Sequence, residues 1–341
     1  MHTSLPTRQL GRSDLHITRV GFGAWAIGGG GWSFGWGPQD DGESIAAIRE
    51  ALASGINWID TAAVYGLGHS EIVVGRALRD LPQNDRPYVF TKCGLVWDEQ
   101  NRTAAPKRSL QPESIRRECE ASLQRLGVER IDLYQFHWPD ETGTRVEDSW
   151  NTLRRLQEEG KVRAIGVSNF DVPLLERCEA LHHVDSLQPP FSLIRRNAAE
   201  REIPWCASHD TGVICYSPMQ SGILTERFSP ARVARMAKDD WRRSSADFQS
   251  PQLERNIALR NALDPVADRH DTSVSAVAIA WTLAWRGITG AIVGARSADQ
   301  IEGWIDAAKL TLTRADLVEI ATAIERTGAG RGPQVPATLA A

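Results

Sequence analysis

The sequence predicts an α/β protein in which eight short parallel strands alternate with helices and close into a (β/α)8 TIM barrel. Short apolar segments alternate with longer amphipathic ones along most of the chain, which is typical of β-α units. The short segments are apolar throughout, as expected of parallel strands that are buried on both faces. The length of 341 residues suits one barrel with additions. A doubly wound open sheet is the alternative architecture.

Each predicted strand leads into a helix, and helices such as those before Gly127 and Gly160 end at a glycine. Because the composition does not shift along the chain, we expect one domain over residues 1–341. The predicted strands are 20–23, 57–60, 88–92, 131–136, 162–167, 184–187, 212–216 and 289–293. The helices that follow them are predicted near 41–54, 71–79, 112–126, 146–159, 173–181, 198–209, 253–269 and 273–285.

Several segments add to this barrel. Turn residues between two short extended runs predict a β-hairpin at 7–19. The polar segment 217–252 leaves the barrel after the seventh strand, and it is either a solvated excursion or a lid. Extra C-terminal helices are predicted near 298–307 and 314–325, and the Gly-, Pro- and Ala-containing tail 328–341 is predicted to be flexible.

Charge and cysteine content limit the function. The net charge of −4 forms no basic stripe, so we expect neither a nucleic-acid partner nor attraction to an anionic membrane. No apolar run is long enough to span a bilayer. The five cysteines are odd in number and scattered, which indicates reduced core thiols and a cytoplasmic protein.

Polar and aromatic residues stand at nearly every predicted strand end. In a barrel of this type the active site lies at the carboxyl ends of the strands. Burying so many polar groups at one rim is costly, so a purely structural barrel has no need of them. The strand ends carry Trp25, Asp60 with Tyr65, Lys92, His137, Ser168 with Asn169, Gln188, Tyr216 with Ser217, and Gly294 with Arg296.

Four of these residues suggest proton transfer to a carbonyl. A phenol is a weak acid with an unperturbed pKa of about 10, which a neighbouring ammonium lowers. We therefore expect Lys92, held by Asp60, to activate Tyr65 as a general acid, and His137 to orient and polarise the carbonyl oxygen. The pattern contains no activated nucleophile and no set of metal ligands. Hydride addition to a carbonyl fits, and the hydride must come from a cofactor.

The remaining strand ends suit a nicotinamide dinucleotide. Ser168, Asn169 and Gln188 can hydrogen-bond a carboxamide, and Tyr216 offers a face for stacking. Arg296 precedes a predicted helix, where backbone amides favour an anion, and its fork of donors suits a 2′-phosphate. The loop predicted to wrap the pyrophosphate contains Ser217, Pro218, Met219 and Gly222, with Gly294 on the neighbouring strand end.

From about residue 8 to residue 325 these motifs resemble the aldo-keto reductase superfamily. Asp60, Tyr65, Lys92 and His137 match the catalytic tetrad of that family in order and context. The resemblance implies NADPH or NADP⁺ as cofactor, extended across the barrel rim without a Rossmann domain, and reversible reduction of a small-molecule carbonyl to an alcohol. Gln300 matches the adenine-binding helix, but Gly303-Trp304 stands where the family usually has Glu-Asn. Trp304 either stacks on adenine or packs in the core.

Aromatic residues near the rim suggest a bulky cyclic ketone or aldehyde as substrate. The candidate substrate contacts are Trp25, Tyr65, Trp97, His137 and Trp138. A second hypothesis is an NADPH-binding redox-sensing or regulatory subunit with slow turnover. A third is a barrel hydrolase or isomerase that uses Asp60 and His137 without nicotinamide. The sequence leaves the oligomeric state open.

Overall fold

The computed structural model describes residues 5–226, 228–236 and 240–336. Eight of the strands in this part of the chain form a closed barrel in chain order, with every neighbouring pair parallel. The predicted barrel is therefore confirmed, and the open sheet is excluded. The strands are β1 (Thr7–Gln9), β2 (His16–Thr18), β3 (Val20–Gly23), β4 (Trp58–Asp60), β5 (Tyr88–Cys93), β6 (Leu95–Val96), β7 (Lys107–Arg108), β8 (Ile131–Phe136), β9 (Val162–Ser168), β10 (Ser186–Gln188), β11 (Gly212–Tyr216) and β12 (Ile288–Gly294). The barrel consists of β3, β4, β5 and β8 to β12.

Helices surround the barrel. Three of the predicted helices are each divided, at residues 200–201, at residues 262–263 just before Pro265 in the first turn of α9, and at residues 303–304 after α11. Within the described residues, no helix is both long and apolar enough to cross a membrane. The helices are α1 (Asp41–Ala53), α2 (His69–Leu78), α3 (Pro112–Leu126), α4 (Val146–Glu158), α5 (Val172–Glu179), α6 (Glu202–His209), α7 (Pro230–Ala234), α8 (Gln252–Asn261), α9 (Asp264–Arg269), α10 (Val274–Leu283), α11 (Asp299–Glu302) and α12 (Arg314–Thr327).

The N-terminal hairpin closes one end of the barrel. β1 and β2 pair antiparallel, and Leu10, Leu15 and Ile17 are fully buried against the side chains that fill the barrel interior. The Trp58 indole donates a hydrogen bond to the Thr18 carbonyl at 2.8 Å. The hairpin therefore covers the end of the barrel at which the strands begin, opposite their carboxyl ends.

Side chains of one strand alternate between the two faces, so residues two apart point into the barrel together. Trp58 and Phe90 belong to the apolar cluster in the interior, and Asp60 and Lys92 follow them by two positions on the same strands. Gly21 makes room for this packing, because a Cβ there would lie 2.1 Å from the Trp58 ring. The apolar interior thus gives way to a polar layer at the carboxyl ends of the strands.

The segment predicted as a flexible tail begins against the barrel. The Arg331 backbone N–H donates to the Ile194 carbonyl at 3.0 Å, and Arg196 donates through Nε to the Gly332 carbonyl at 3.2 Å. Residues 329–332 are thus hydrogen-bonded to the loop that follows β10. The remainder of the predicted tail, 337–341, lies outside the described residues, as do residues 227 and 237–239 of the predicted excursion.

A half-buried carboxyl group joins α3 to the end of β5. Glu118 accepts a hydrogen bond from the Gly94 backbone N–H at 2.8 Å and another from the Ser114 hydroxyl at 3.0 Å. Burial raises the pKa of Glu118 from its ordinary value of 4.5 to about 7, against the effect of these two bonds. Folding therefore favours the protonated form of this group.

We expect stability to fall as the pH rises from about 4.5 to about 7, because the unfolded chain loses the Glu118 proton first. Glu118→Gln removes that dependence and keeps an acceptor for Gly94. Because the side chain is only half-buried, we expect a gain of about 1–2 kcal/mol at pH 8 and almost none at pH 4.5. Urea unfolding at both pH values measures this. Glu113→Gln, an exposed change on the same helix, is the control, and an equal gain in both variants would contradict the prediction.

Candidate active site

A buried ion pair connects β4 and β5 at the mouth of the barrel. Lys92 Nζ donates to Asp60 Oδ1 at 2.5 Å and to the Thr61 carbonyl at 2.9 Å. Gln188 Nε2, at the end of β10, donates to the second carboxylate oxygen of Asp60 at 2.9 Å. The Lys92 side chain is 0% exposed and that of Asp60 is 3% exposed. Both charges are therefore compensated by protein groups, as buried charges must be.

Burial shifts both partners toward their neutral forms. It raises the pKa of Asp60, and it lowers the pKa of Lys92. In each case the charge of the other partner and the hydrogen bond between them oppose the shift. The ammonium of Lys92 thus depends on the Asp60 carboxylate for its charge.

Tyr65 and His137 lie beside this pair. The ring of Tyr65 has its centroid 5.2 Å from Lys92 Nζ, and the Tyr65 and His137 rings meet edge to face with centroids 5.6 Å apart. Burial lowers the pKa of His137 well below its usual value, and the charges of Lys92 and Arg108 lower it further. His137 is therefore a neutral imidazole with one N–H to donate.

The acidity of Tyr65 differs from the sequence-based expectation. We expected Lys92 to lower the pKa of the phenol, but burial raises it well above 10, and the charge of Asp60 adds to the rise. The main physical reason is the burial of the phenol, and the Asp60 carboxylate beside Lys92 offsets part of the effect of the ammonium. Tyr65 therefore keeps its proton at neutral pH.

The predicted carboxamide contacts form one hydrogen-bonded group. Tyr216 donates through its hydroxyl to Asn169 Oδ1 at 2.8 Å, and Asn169 Nδ2 donates to the His137 carbonyl and to Ser168 Oγ, each at 3.0 Å. Ser168 donates in turn to the Gln188 carbonyl at 2.8 Å. Asn169 has a φ of 61°, in the left-handed region that non-glycine residues avoid.

The loop after β11 also contains left-handed residues. Ser217, Gln220 and Ser221 have φ values of 57°, 45° and 52°. Pro218 is buried and Met219 packs against the main core. Gly222 completes the turn with a φ of 101°. Successive backbone N–H groups in such conformations form concavities that suit anions.

Arg296 lies at the end of β12 with its guanidinium already engaged. Its Nε donates to Gln39 Oε1 at 2.6 Å, and its two terminal nitrogens donate to the backbone carbonyls of Trp36 and Pro38. The Arg296 backbone N–H donates to Gln300 Oε1 at 2.9 Å. Gly294, two positions earlier, pairs with Gly23 of β3. Gly294, Arg296 and Gln300, which were predicted to bind the cofactor, therefore lie close together.

Aromatic rings from two loops meet above Tyr65. Trp25 stacks on Tyr65 with centroids 6.1 Å apart and on Trp241 at 5.8 Å. Trp36 meets both tryptophans edge to face, and the guanidinium of Arg242 lies 4.6 Å from the Trp36 centroid. The described part of the segment 217–252 therefore crosses the mouth and contacts the loop that follows β3.

Comparison with known proteins agrees with this architecture. The sequence profile of the Aldo/keto reductase family matches residues 19–325. The chain belongs to the aldo-keto reductase family. It is 34% identical over 316 residues to the aldo-keto reductase YhdN of Bacillus subtilis, covering 92% of each chain. It is also 34% identical over 329 residues to the NADH-specific methylglyoxal reductase of Escherichia coli, covering 93% of this chain and 98% of that one.

Among solved structures, the glycerol dehydrogenase of Gluconobacter oxydans superposes on this reductase with a TM-score of 0.86 and 35% sequence identity. The superposition covers 96% of this chain and 98% of that one. The reductase is thus an oxidoreductase of this family with the family barrel, and the predicted resemblance is confirmed.

The three remaining tryptophans that were considered as ligand contacts have different surroundings in the structure. Trp97 packs in the small cluster that contains Tyr65, whereas Trp138 lies under the guanidinium of Arg108 at 4.2 Å. Trp304 is 3% exposed and belongs to the main core. Of the two alternatives for Trp304, packing is therefore the correct one, because a buried indole has no free face for adenine.

Two contact residues at the mouth were missed from the sequence. Trp241 stands in a charged segment, and Gln39 precedes a helix, so neither belongs to a predicted strand end. A lone tryptophan among charged residues was the one available signal for Trp241. Gln39 gave no signal, because its partner Arg296 lies 257 positions away.

Substitutions in the buried Lys92–Asp60 pair test how much the two charges depend on each other for the stability of this reductase. Lys92→Met leaves Asp60 buried without its partner, so we expect it to cost about 3–5 kcal/mol in the free energy of unfolding. Asp60→Asn combined with Lys92→Met removes both charges and should cost less than the sum of the single changes by at least about 1 kcal/mol. Urea unfolding of all four proteins gives the cycle. Lys107→Met, on an exposed strand, is the control, and strict additivity would contradict the coupling.

Proposed function

We propose that this reductase uses NADPH to reduce an aldehyde or ketone to the alcohol, with Tyr65 as the general acid. The observation that supports this most directly is the grouping of Tyr65, His137 and the Lys92–Asp60 pair at one mouth of the barrel. These groups can donate a proton and polarise an oxygen, but they cannot supply hydride. Family membership accounts for the hydride through a nicotinamide cofactor.

The residues at the mouth fit such a cofactor. The side-chain amides of Asn169 and Gln188 suit a carboxamide, and Tyr216 suits stacking on a ring. The left-handed backbone at residues 217–222 supports the assignment of the pyrophosphate, because its amides can converge on an anion. When bound, the cofactor supplies hydride to the carbonyl carbon. Trp25, Arg296 and Gln300 complete the proposed contacts.

In the proposed reaction the substrate oxygen lies between Tyr65 and His137. The neutral His137 donates its N–H to that oxygen and fixes its direction. As negative charge develops there, the oxygen becomes a stronger base than phenolate, and the Tyr65 proton transfers to it. Lys92 lies close enough to stabilise the phenolate that remains. The products are the alcohol and the oxidised cofactor, and solvent restores the proton to Tyr65.

The aromatic rings above Tyr65 indicate the class of substrate. Trp25, Trp97 and Trp241 provide flat apolar faces near Tyr65, which supports the proposal of a cyclic ketone or aldehyde. The curated relative named for methylglyoxal acts, by its name, on a much smaller carbonyl. Rates with methylglyoxal and with a cyclic ketone of one ring, measured side by side, decide between these classes. The five buried cysteines support the cytoplasm as location.

Tyr65→Phe tests the general acid. We expect turnover to fall by about 10²–10⁴, because proton transfer is lost, while the affinity for NADPH stays close to that of the unchanged protein. Steady-state rates and cofactor titration measure the two quantities. Tyr88→Phe, at the opposite end of β5, is the matched control and should keep its turnover. A Tyr65→Phe variant with normal turnover would remove Tyr65 from the mechanism.

Titration with NADPH and NADH tests the cofactor. Trp25, Trp36 and Trp241 lie at the mouth, so we expect tryptophan fluorescence to fall as either dinucleotide binds. NADPH should bind in the micromolar range, and Arg296→Ala should weaken NADPH more than NADH. If neither dinucleotide binds, the proposed function is wrong. Tight binding with no turnover of any carbonyl would instead favour the regulatory subunit with slow turnover.

A further inference from the structure

The guanidinium of Arg296 is retained by the segment that precedes α1. Three of its five N–H groups donate to Gln39 Oε1 and to the Trp36 and Pro38 carbonyls. All three acceptors are neutral. Among residues 5–226, 228–236 and 240–336, no carboxylate lies within ion-pair distance of Arg296. Its charge is therefore held in place by neutral acceptors, and the Glu43 carboxylate acts on it without a direct ion pair.

Gln39 holds Arg296 through both ends of its amide. While Oε1 accepts from the side chain at 2.6 Å, Nε2 donates to the Arg296 backbone carbonyl at 2.8 Å and to Ser44 Oγ at 3.1 Å. These partners fix the orientation of the amide, because a flip would place donor against donor and acceptor against acceptor. Gln39 is thus a two-point clamp on Arg296, anchored in turn to α1.

A second cation lies near the clamp. Arg242 lies over the Trp36 ring, and Arg296 donates to the backbone carbonyl of the same residue. Asp240 forms an ion pair with Arg242 at 2.6 Å. Burial lowers the pKa of Arg296 and the charge of Arg242 lowers it further, whereas the charge of Glu43 opposes both effects. A doubly negative phosphate would relieve this repulsion and would be a stronger acceptor than an amide or carbonyl oxygen.

We propose that Gln39 determines how strongly this reductase distinguishes NADPH from NADH. A 2′-phosphate that takes Arg296 has to replace or share the bonds to Gln39, whereas a 2′-hydroxyl leaves the clamp intact. The clamp therefore subtracts from the affinity for NADPH and leaves that for NADH unchanged. This inference rests on the proposed function in one respect, namely that Arg296 contacts the 2′-phosphate.

Calorimetric titration with 2′,5′-ADP and 5′-AMP tests the clamp without any turnover. The two probes differ only in the 2′-phosphate. Gln39→Ala frees one donor of Arg296, so we expect 2′,5′-ADP to bind about three- to tenfold more tightly and 5′-AMP to bind within about twofold of the unchanged protein. Gln39→Glu keeps the size of the side chain and adds a charge that pairs with Arg296 and repels phosphate. It should weaken 2′,5′-ADP and spare 5′-AMP.

The controls separate the two proposals. Gln124→Ala, an exposed change on α3, should alter neither affinity. Arg296→Ala should abolish the preference for 2′,5′-ADP over 5′-AMP, and if it does not, Arg296 does not contact the 2′-phosphate and the proposed cofactor assignment fails. If Arg296→Ala behaves as expected but Gln39→Ala leaves the affinity for 2′,5′-ADP unchanged or lowers it, only the proposal about Gln39 is overturned.

If Gln39→Ala is unstable in thermal unfolding, Gln39→Glu replaces it as the test. Unchanged affinity of Gln39→Glu for 2′,5′-ADP would then overturn the proposal about Gln39.

Discussion

The contact between Lys92 and Asp60 is the constraint on which the mouth of the barrel depends. Two opposite charges taken out of water are tolerated only where every remaining donor and acceptor has a partner. Here the partners come from three strands, since Gln188 on β10 and the Thr61 carbonyl after β4 complete the contacts begun by β4 and β5. The pair therefore fixes the relative positions of these strand ends, and with them the place of Tyr65.

The same pair explains why Tyr65 is protonated. An isolated ammonium would stabilise the phenolate, but the Asp60 carboxylate offsets part of the effect of Lys92, and burial dominates the acidity of the phenol. A protonated phenol is the form that a proton donor needs. In the reverse direction, alcohol oxidation requires the phenolate as base, and a raised pKa makes that form rare at neutral pH. The closed mouth therefore holds Tyr65 in the form that the proposed reduction requires.

The barrel and its strand ends were predictable because their signals are local. A buried strand is apolar within a few residues, and Asp60, Lys92 and His137 stand directly after such runs. The loops carry no such signal. Tertiary packing between distant segments determines three features of these loops. They are the stacking of Trp241 on Trp25, the contact of Gln39 with Arg296 and the burial of Trp304. The acidity of Tyr65 was missed for a related reason, because desolvation depends on everything that packs around a group and not on its nearest charge.

The two ends of the barrel are closed by different kinds of contact, and this difference matters for function. At the hairpin end, Leu10, Leu15 and Ile17 are fully buried, so opening would expose apolar surface to water. At the opposite end, the closing contacts are stacked rings and hydrogen bonds to neutral carbonyl groups, as at Trp25 and Arg296. A ligand with a flat ring and an anionic group can replace the stacked rings and hydrogen bonds of the mouth at little net cost. Such a ligand cannot replace the apolar contacts at the hairpin end. The mouth is thus the end at which binding can compete with the closed structure.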